Sequence, residues 1–64
     1  MRLIVLRRGV RFVHASWRDA ANQPLLCVVT RLAKGVVYWR PEGGGKPMYF
    51  PVEDAGRYVA KVLP

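Results

Sequence analysis

The sequence predicts a small, mostly-β domain of about five strands, with one 3₁₀ or short helical turn near the C-terminus. Short runs of β-branched and aromatic residues recur along the chain, and glycine, proline or small polar residues separate them. The chain has 64 residues, of which 52% are hydrophobic, so residues 1–64 form a single domain around a thin core.

Two apolar runs open the chain. Leu3–Leu6 is predicted to be a short strand because it is apolar and partly β-branched, and Gly9 interrupts the chain after it. Val10–Ala15 is predicted to be the next strand, with Arg11 facing outward. The two-residue period of a strand then directs alternate side chains inward: Val10, Phe12 and His14.

The segment Ser16–Pro24 is predicted to be the longest loop. Its polar residues follow no clear period, and Asp19, Asn22 and Pro24 are residues typical of turns. Trp17 can fold back across this loop.

A β-hairpin is the strongest prediction. Leu25–Leu32 is a continuous run that favours a strand, and Val36–Arg40 returns as its antiparallel partner. Between them, Gly35 can adopt the positive φ that a tight hairpin turn requires.

A second turn follows at Pro41–Gly45, and Lys46–Phe50 is predicted to be a third strand of this sheet. Pro51 ends the strand because it has no N–H to donate. The Gly43–Lys46 sequence resembles a fragment of a phosphate-binding loop, but Pro47 stands where such a loop has serine or threonine, so a turn is favoured.

Two structures remain open for Val52–Leu63. One helical turn over Val52–Arg57 can lead into a closing strand, or the segment can form a continuous helix. The helix would carry an apolar stripe made of Val52, Ala55, Tyr58, Val59 and Val62. Gly56 disfavours the continuous helix.

The last third of the chain is similar to the end of SH3 domains. Met48-Tyr49-Phe50-Pro51, followed by Tyr58-Val59 and Lys61, matches a strand that ends in proline and passes through a 3₁₀ turn into a closing strand. The resemblance implies a small SH3-like barrel. It also suggests a proline-peptide groove, since Tyr38, Trp39, Pro51 and Tyr58 are residue types that line one, but the acidic loop that orients such peptides is missing.

The same stretch resembles the plasmid-borne type II dihydrofolate reductase, a tetramer of SH3-like barrels. That family has Val-Gln-Ile-Tyr where this chain has Pro47-Met48-Tyr49-Phe50. Met48 lacks the amide and Phe50 lacks the hydroxyl that help to form the reductase pore. We therefore expect the shape to carry over without reductase activity.

The net charge of the chain indicates which classes of partner it binds. Eleven Lys and Arg against four Asp and Glu give a net charge of +7, and arginine predominates. The planar guanidinium suits phosphates and carboxylates, so nucleic acid is the first expected partner and an acidic protein surface the second. The basic N-terminus lacks the apolar run and cleavage site of a signal peptide, and no segment is long enough to span a membrane.

We expect a non-enzymatic protein without cofactor or metal. Cys27 and His14 are the chain's one thiol and one imidazole, and two ligands cannot complete a metal site. A Cys–His nucleophilic pair is disfavoured because apolar neighbours flank Cys27 and nothing nearby would lower its pKa. One unpaired cysteine also indicates a reducing compartment, the cytoplasm.

The candidate site surrounds the predicted hairpin, where basic and aromatic residues alternate. Such groups track phosphates and stack bases in single-strand binders. The predicted nucleic-acid-binding residues are Arg11, Arg31, Lys34 and Arg40 for phosphates, and Tyr38 and Tyr49 for stacking. The plainer alternative is that Trp39 is a core residue and the arginines form a solvated rim.

Two rival functions remain open. One is a protein-interaction module, such as a short phage or mobile-element accessory protein that binds an acidic host surface. The other is a homo-oligomeric barrel with a pore.

Overall fold

The computed structural model describes residues 5–64, which form a five-stranded antiparallel sheet and one short helical segment. The sheet order is β4-β3-β2-β1-β5, and all paired neighbours are antiparallel. This confirms the predicted mostly-β class. The order is compatible with an SH3-like barrel, although the sheet formed by residues 5–64 is not closed. The strands are β1 (Arg11–Arg18), β2 (Pro24–Ala33), β3 (Val36–Pro41), β4 (Met48–Pro51) and β5 (Val59–Val62).

The β2–β3 hairpin has the predicted two-residue turn. Lys34 has a φ of 51° and Gly35 a φ of 75°, and Ala33 pairs with Val36 across the turn. Positive φ at both central residues is the geometry whose twist matches that of the flanking strands. The predicted hairpin is therefore confirmed.

The core lies on one face of the sheet. Phe12 is fully buried and meets Trp39 and Phe50 edge-on, at centroid distances of 5.8 Å and 6.2 Å. The predicted inward face of β1 is confirmed, since Phe12 and His14 are buried and Val10 packs against the core. The buried apolar residues are Leu6, Phe12, Cys27, Val29, Val37, Trp39, Phe50, Ala55 and Val59.

The C-terminal segment takes the first of the two predicted forms. A 3₁₀ turn (Val52–Asp54) leads directly into helix α1 (Ala55–Tyr58), and β5 then pairs with β1. The continuous helix is wrong. Val59 is buried in the core and the Leu63 N–H donates to the Arg11 carbonyl, so this part of the chain is held as an extended strand against β1.

The predicted Ser16–Pro24 loop is wrong at both ends, because β1 continues to Arg18 and β2 begins at Pro24. The connection is tightened by Asp19. Its Oδ1 accepts hydrogen bonds from the N–H groups of Ala21 and Gln23, each at 2.9 Å. A side chain that mimics a turn acceptor allows a shorter connection than the residue composition indicated.

The first predicted strand is also corrected. Leu3 and Ile4 lie outside the described residues, while Val5 and Leu6 lie in no strand. Leu6 is nevertheless buried in the core, so its apolar character reflects packing rather than sheet pairing.

The predicted Lys46–Phe50 strand begins later, at Met48, and includes Pro51 as its last residue. Pro47 precedes it and has no N–H to contribute to a sheet.

A wide irregularity interrupts β1. Val13 pairs with Leu26 and Arg18 pairs with Pro24, so four residues of β1 face one residue of β2. We call this segment, His14–Trp17, the β1 bulge. His14 Nδ1 accepts hydrogen bonds from the N–H groups of Ser16 and Trp17, both at 3.0 Å. The imidazole thus replaces the acceptors that a regular sheet would have supplied.

Three aromatic rings surround His14, including that of Tyr58 at a centroid distance of 6.1 Å. The Trp17 ring stacks on the imidazole at a centroid distance of 4.8 Å and an interplanar angle of 13°, and Trp39 lies 5.4 Å away. Trp17 therefore covers the β1 bulge from the solvent side, as the predicted fold-back suggested, although it belongs to a strand.

Residues 5–64 contain no helix with the length and hydrophobicity that a membrane-spanning segment requires.

Candidate nucleic-acid interface

Three predicted site residues form a row across three strands. Arg31 of β2 is opposite Tyr38 of β3, and Tyr38 is opposite Tyr49 of β4. Residues directly opposite one another share a face of the sheet, and Arg40 joins them because it lies two residues beyond Tyr38. The intervening Trp39 is buried on the other face. We call the four residues Arg31, Tyr38, Arg40 and Tyr49 the outer patch.

The aromatic residues of the outer patch have different surroundings. The Arg31 guanidinium carbon lies 4.4 Å from the centroid of the Tyr38 ring, which is a cation–π contact. Tyr38 is half-buried, whereas Tyr49 is 70% exposed. The two tyrosine rings are 6.1 Å apart and inclined at 43°.

A one-residue bulge in β2 places Arg31 on this face. The pairing passes from Val29 opposite Trp39 directly to Arg31 opposite Tyr38, which leaves Thr30 as the extra residue. We call Thr30 the β2 bulge. With strict alternation from the buried Val29, Arg31 would face the core. The extra residue directs its side chain outward instead.

Arg11 lies on the same face as the outer patch but already has a partner. It is opposite Val28, which in turn is opposite Arg40. Its Nε and Nη2 donate to the two carboxylate oxygens of Glu42 at 2.5 Å and 2.9 Å. This hydrogen-bonded ion pair raises the pKa of Arg11 above its ordinary value. The two residues are 31 positions apart, and no local sequence signal indicated the pairing.

Lys34 lies at the tip of the hairpin rather than in the outer patch. It is exposed, and with Leu32, Val36 and Val52 it lines a shallow depression of about 250 Å³. The structure therefore brings together four of the six predicted residues, adds Arg11 as a paired neighbour and places Lys34 apart.

All four carboxylate residues of the chain lie outside the outer patch. Asp19 accepts backbone hydrogen bonds in the β1–β2 connection, and Glu42 is held by Arg11. Glu53 and Asp54 lie in the 3₁₀ turn after β4. The outer patch thus combines two exposed arginines with two aromatic rings, and the carboxylate that is paired on the same face, Glu42, is bound by Arg11.

Cys27 and His14 are both buried side chains. Burial raises the pKa of the Cys27 thiol to about 12, so the thiol is protonated at neutral pH. Burial lowers the pKa of His14, and its Nδ1 is occupied by two backbone donors. Among residues 5–64, no three side chains of His, Cys, Asp or Glu come together as a metal site.

The residues that stand in place of the reductase pore residues lie on the inner face. Phe50 is buried and stacks on Tyr58 at 5.0 Å, and Met48 packs against the core opposite Trp39. Absence of reductase activity remains a prediction.

The glycine-rich segment forms the predicted turn. The Gly44 N–H donates to the Pro41 carbonyl at 3.0 Å, which is the hydrogen bond of a β-turn.

Comparison with known proteins gives no relative for the chain: no family model matches it, and no curated protein or solved structure matches it significantly.

Proposed function

We propose that this protein is a non-enzymatic module that binds nucleic acid through the outer patch. The observation that carries the proposal is the row formed by Arg31, Tyr38 and Tyr49, with Arg40 on the same face. Two guanidinium groups beside aromatic rings can bind phosphates and nucleobases together.

Charge supports the same partner. The chain carries +7, and the carboxylates that could oppose a polyanion lie outside the outer patch. Such a charge excess attracts a phosphate backbone over a distance and speeds association.

The proposed fold is a small SH3-like barrel in which the five-stranded sheet curls around the Phe12–Trp39–Phe50 core. The strand order and the short helical segment before β5 support this proposal. We also propose a cytoplasmic location, because the chain's one cysteine has no partner for an internal disulfide.

The test is the salt dependence of binding to labelled single-stranded and duplex DNA. Each phosphate neutralised adds about −0.7 to the slope of log K against log salt on single strands and about −0.9 on duplex. Arg31→Ala and Arg40→Ala should each weaken binding to all sequences and remove about one such increment. Arg57→Ala is the matched control, since it removes the same charge from α1, outside the outer patch.

Equal effects of all three substitutions would contradict a role for the outer patch. If the wild-type protein binds no tighter than about 10⁻⁴ M at physiological salt, nucleic-acid binding itself is rejected.

A protein-interaction module is the second candidate. The observation that favours it is the depression at the hairpin tip, where Leu32 and Val52 are 43% and 48% exposed beside Lys34. An apolar side chain of an acidic partner would fit such a surface. Leu32→Ser separates the candidates, because it should leave nucleic-acid binding unchanged if the outer patch is the site.

A further inference from the structure

The two tyrosines of the outer patch offer different amounts of free ring surface. Tyr49 is 70% exposed, more than any other large hydrophobic residue of the described chain. Its aromatic neighbour is Tyr38, whose ring is 6.1 Å away and inclined at 43°. At this distance and angle the two rings are not stacked face to face, so a face of the Tyr49 ring remains open.

The Tyr38 ring already has a partner, the guanidinium of Arg31. The Arg31 guanidinium lies 4.4 Å from its centroid, and the side chain is half-buried between β2 and β4. On the face that Arg31 covers, a nucleobase could stack on Tyr38 only by displacing Arg31. Tyr38 therefore serves as a support that holds Arg31 above the sheet.

We propose that the outer patch binds single-stranded nucleic acid, with one unpaired base stacked on Tyr49 and neighbouring phosphates on Arg31 and Arg40. This inference rests on the proposed function and adds the form of nucleic acid and the role of each tyrosine.

Stacking of the bases within a duplex decides the preference for a single strand. Inside a duplex each base is covered on both faces by its neighbours, so Tyr49 would find an exposed base only at the duplex ends. In a single strand any base can turn its face toward the ring, and stacking tolerates all four bases.

The experiment compares wild-type protein, Tyr49→Val and Tyr49→Phe on a labelled oligothymidylate and on a duplex of the same length. Valine keeps the strand preference at this edge position but removes the ring. Tyr49→Val should weaken single-strand binding about 5- to 150-fold, which corresponds to about 1–3 kcal/mol for one stacked base, and should leave duplex binding unchanged. Tyr49→Phe should bind like the wild type because it keeps the ring.

Two further measurements make the result specific. The Tyr49 ring protons should shift upfield on single-strand binding, since a stacked base shields them, and the Tyr38 protons should shift less. Tyr49→Leu is a second ringless variant, and far-UV circular dichroism checks that both variants keep the sheet.

The two proposals fail in different ways. Absence of wild-type binding to either nucleic acid rejects the proposed function and this inference with it. Binding that Tyr49→Val leaves unchanged, or weakens equally on single strand and duplex, rejects the stacking role while the proposed function stands.

Discussion

The bulges in β1 and β2 both depart from regular sheet pairing, but they differ in length and in whether a side chain replaces the lost hydrogen-bond acceptors. The β2 bulge is one exposed residue, Thr30. The β1 bulge is longer, and two of its N–H groups, those of Ser16 and Trp17, donate to the buried side chain of His14. An irregularity at the surface needs no replacement partner, whereas one beside the core needs an acceptor built into the sequence.

Loss of the His14 acceptor should have the largest effect on stability. His14→Ala should lower the free energy of unfolding by about 2–4 kcal/mol, because it leaves two N–H groups without an acceptor and a cavity beneath Trp17. In a domain with about 3–5 kcal/mol of net stability, much of the protein would unfold. Urea denaturation followed by tryptophan fluorescence measures the change.

His14→Asn is the matched control, because asparagine Oδ1 occupies the place of Nδ1 along the side chain. It should be more stable than His14→Ala. If the two variants are equally unstable, the role of His14 is packing and not acceptance.

Lowering the pH should also reduce the free energy of unfolding through the β1 bulge, but by less than His14→Ala does. Burial lowers the pKa of His14 below its ordinary value of 6.5, so the unfolded chain takes up a proton before the native state does. Stability is therefore fully present above pH 6.5 and falls as the pH drops through 6.5 toward the native pKa, by at most about 1.4 kcal/mol per pH unit.

Denaturation midpoints between neutral pH and about pH 5.5 measure this loss. His14→Asn should remove most of the pH dependence in this range. A wild-type protein that is equally stable throughout would show that protonation leaves the β1 bulge intact.

The regular part of β1 allows a test of how far the outer patch extends. Glu42→Gln should release the Arg11 guanidinium on the same face, without changing the size of the side chain at position 42. If the released fork reaches a phosphate, affinity should rise and the salt slope on single strands should steepen by about 0.7.

The double variant Arg11→Ala with Glu42→Gln is the control and should show no steeper slope than the wild type. Unchanged binding by Glu42→Gln alone would limit the phosphate contacts to the other strands.

The smallest change in stability should come from a substitution in the β2 bulge. Thr30→Ala should change the free energy of unfolding by no more than about 0.5 kcal/mol, as expected for an exposed residue whose backbone geometry is retained. A loss comparable to that of His14→Ala, measured by the same denaturation, would overturn the distinction between the two bulges.

The hairpin could be predicted because its signals are local. The apolar run Leu25–Leu32, the glycine turn and Val36–Arg40 lie next to one another, and the period and turn chemistry agree. The sequence alone does not decide between the closing strand and a helix, because the partner of that strand, β1, lies far away in sequence. Pairing with β1 and burial of Val59 decided between them.

The candidate site could be predicted in composition but not in arrangement. Alternation indicated that Tyr38 and Arg40 share a face, since they lie on one strand. The contact between Arg31 and Tyr38 depends on the extra Thr30, and the pairing of Arg11 with Glu42 depends on the start of β1 meeting the turn after β3. Neither leaves a mark in a single sequence, because both arise from how the strands are shifted against each other.

The buried Cys27 gives the protein a built-in reporter of its own opening. The thiol is fully buried and, with its pKa raised to about 12, it is protonated in the native state, so an alkylating reagent has neither access nor a thiolate to attack. Labelling must wait until the central strand separates from the core. Because the chain has one cysteine, the labelling rate measured by mass spectrometry, divided by the rate of the same thiol in an unfolded peptide, yields the opening equilibrium of each variant without denaturant.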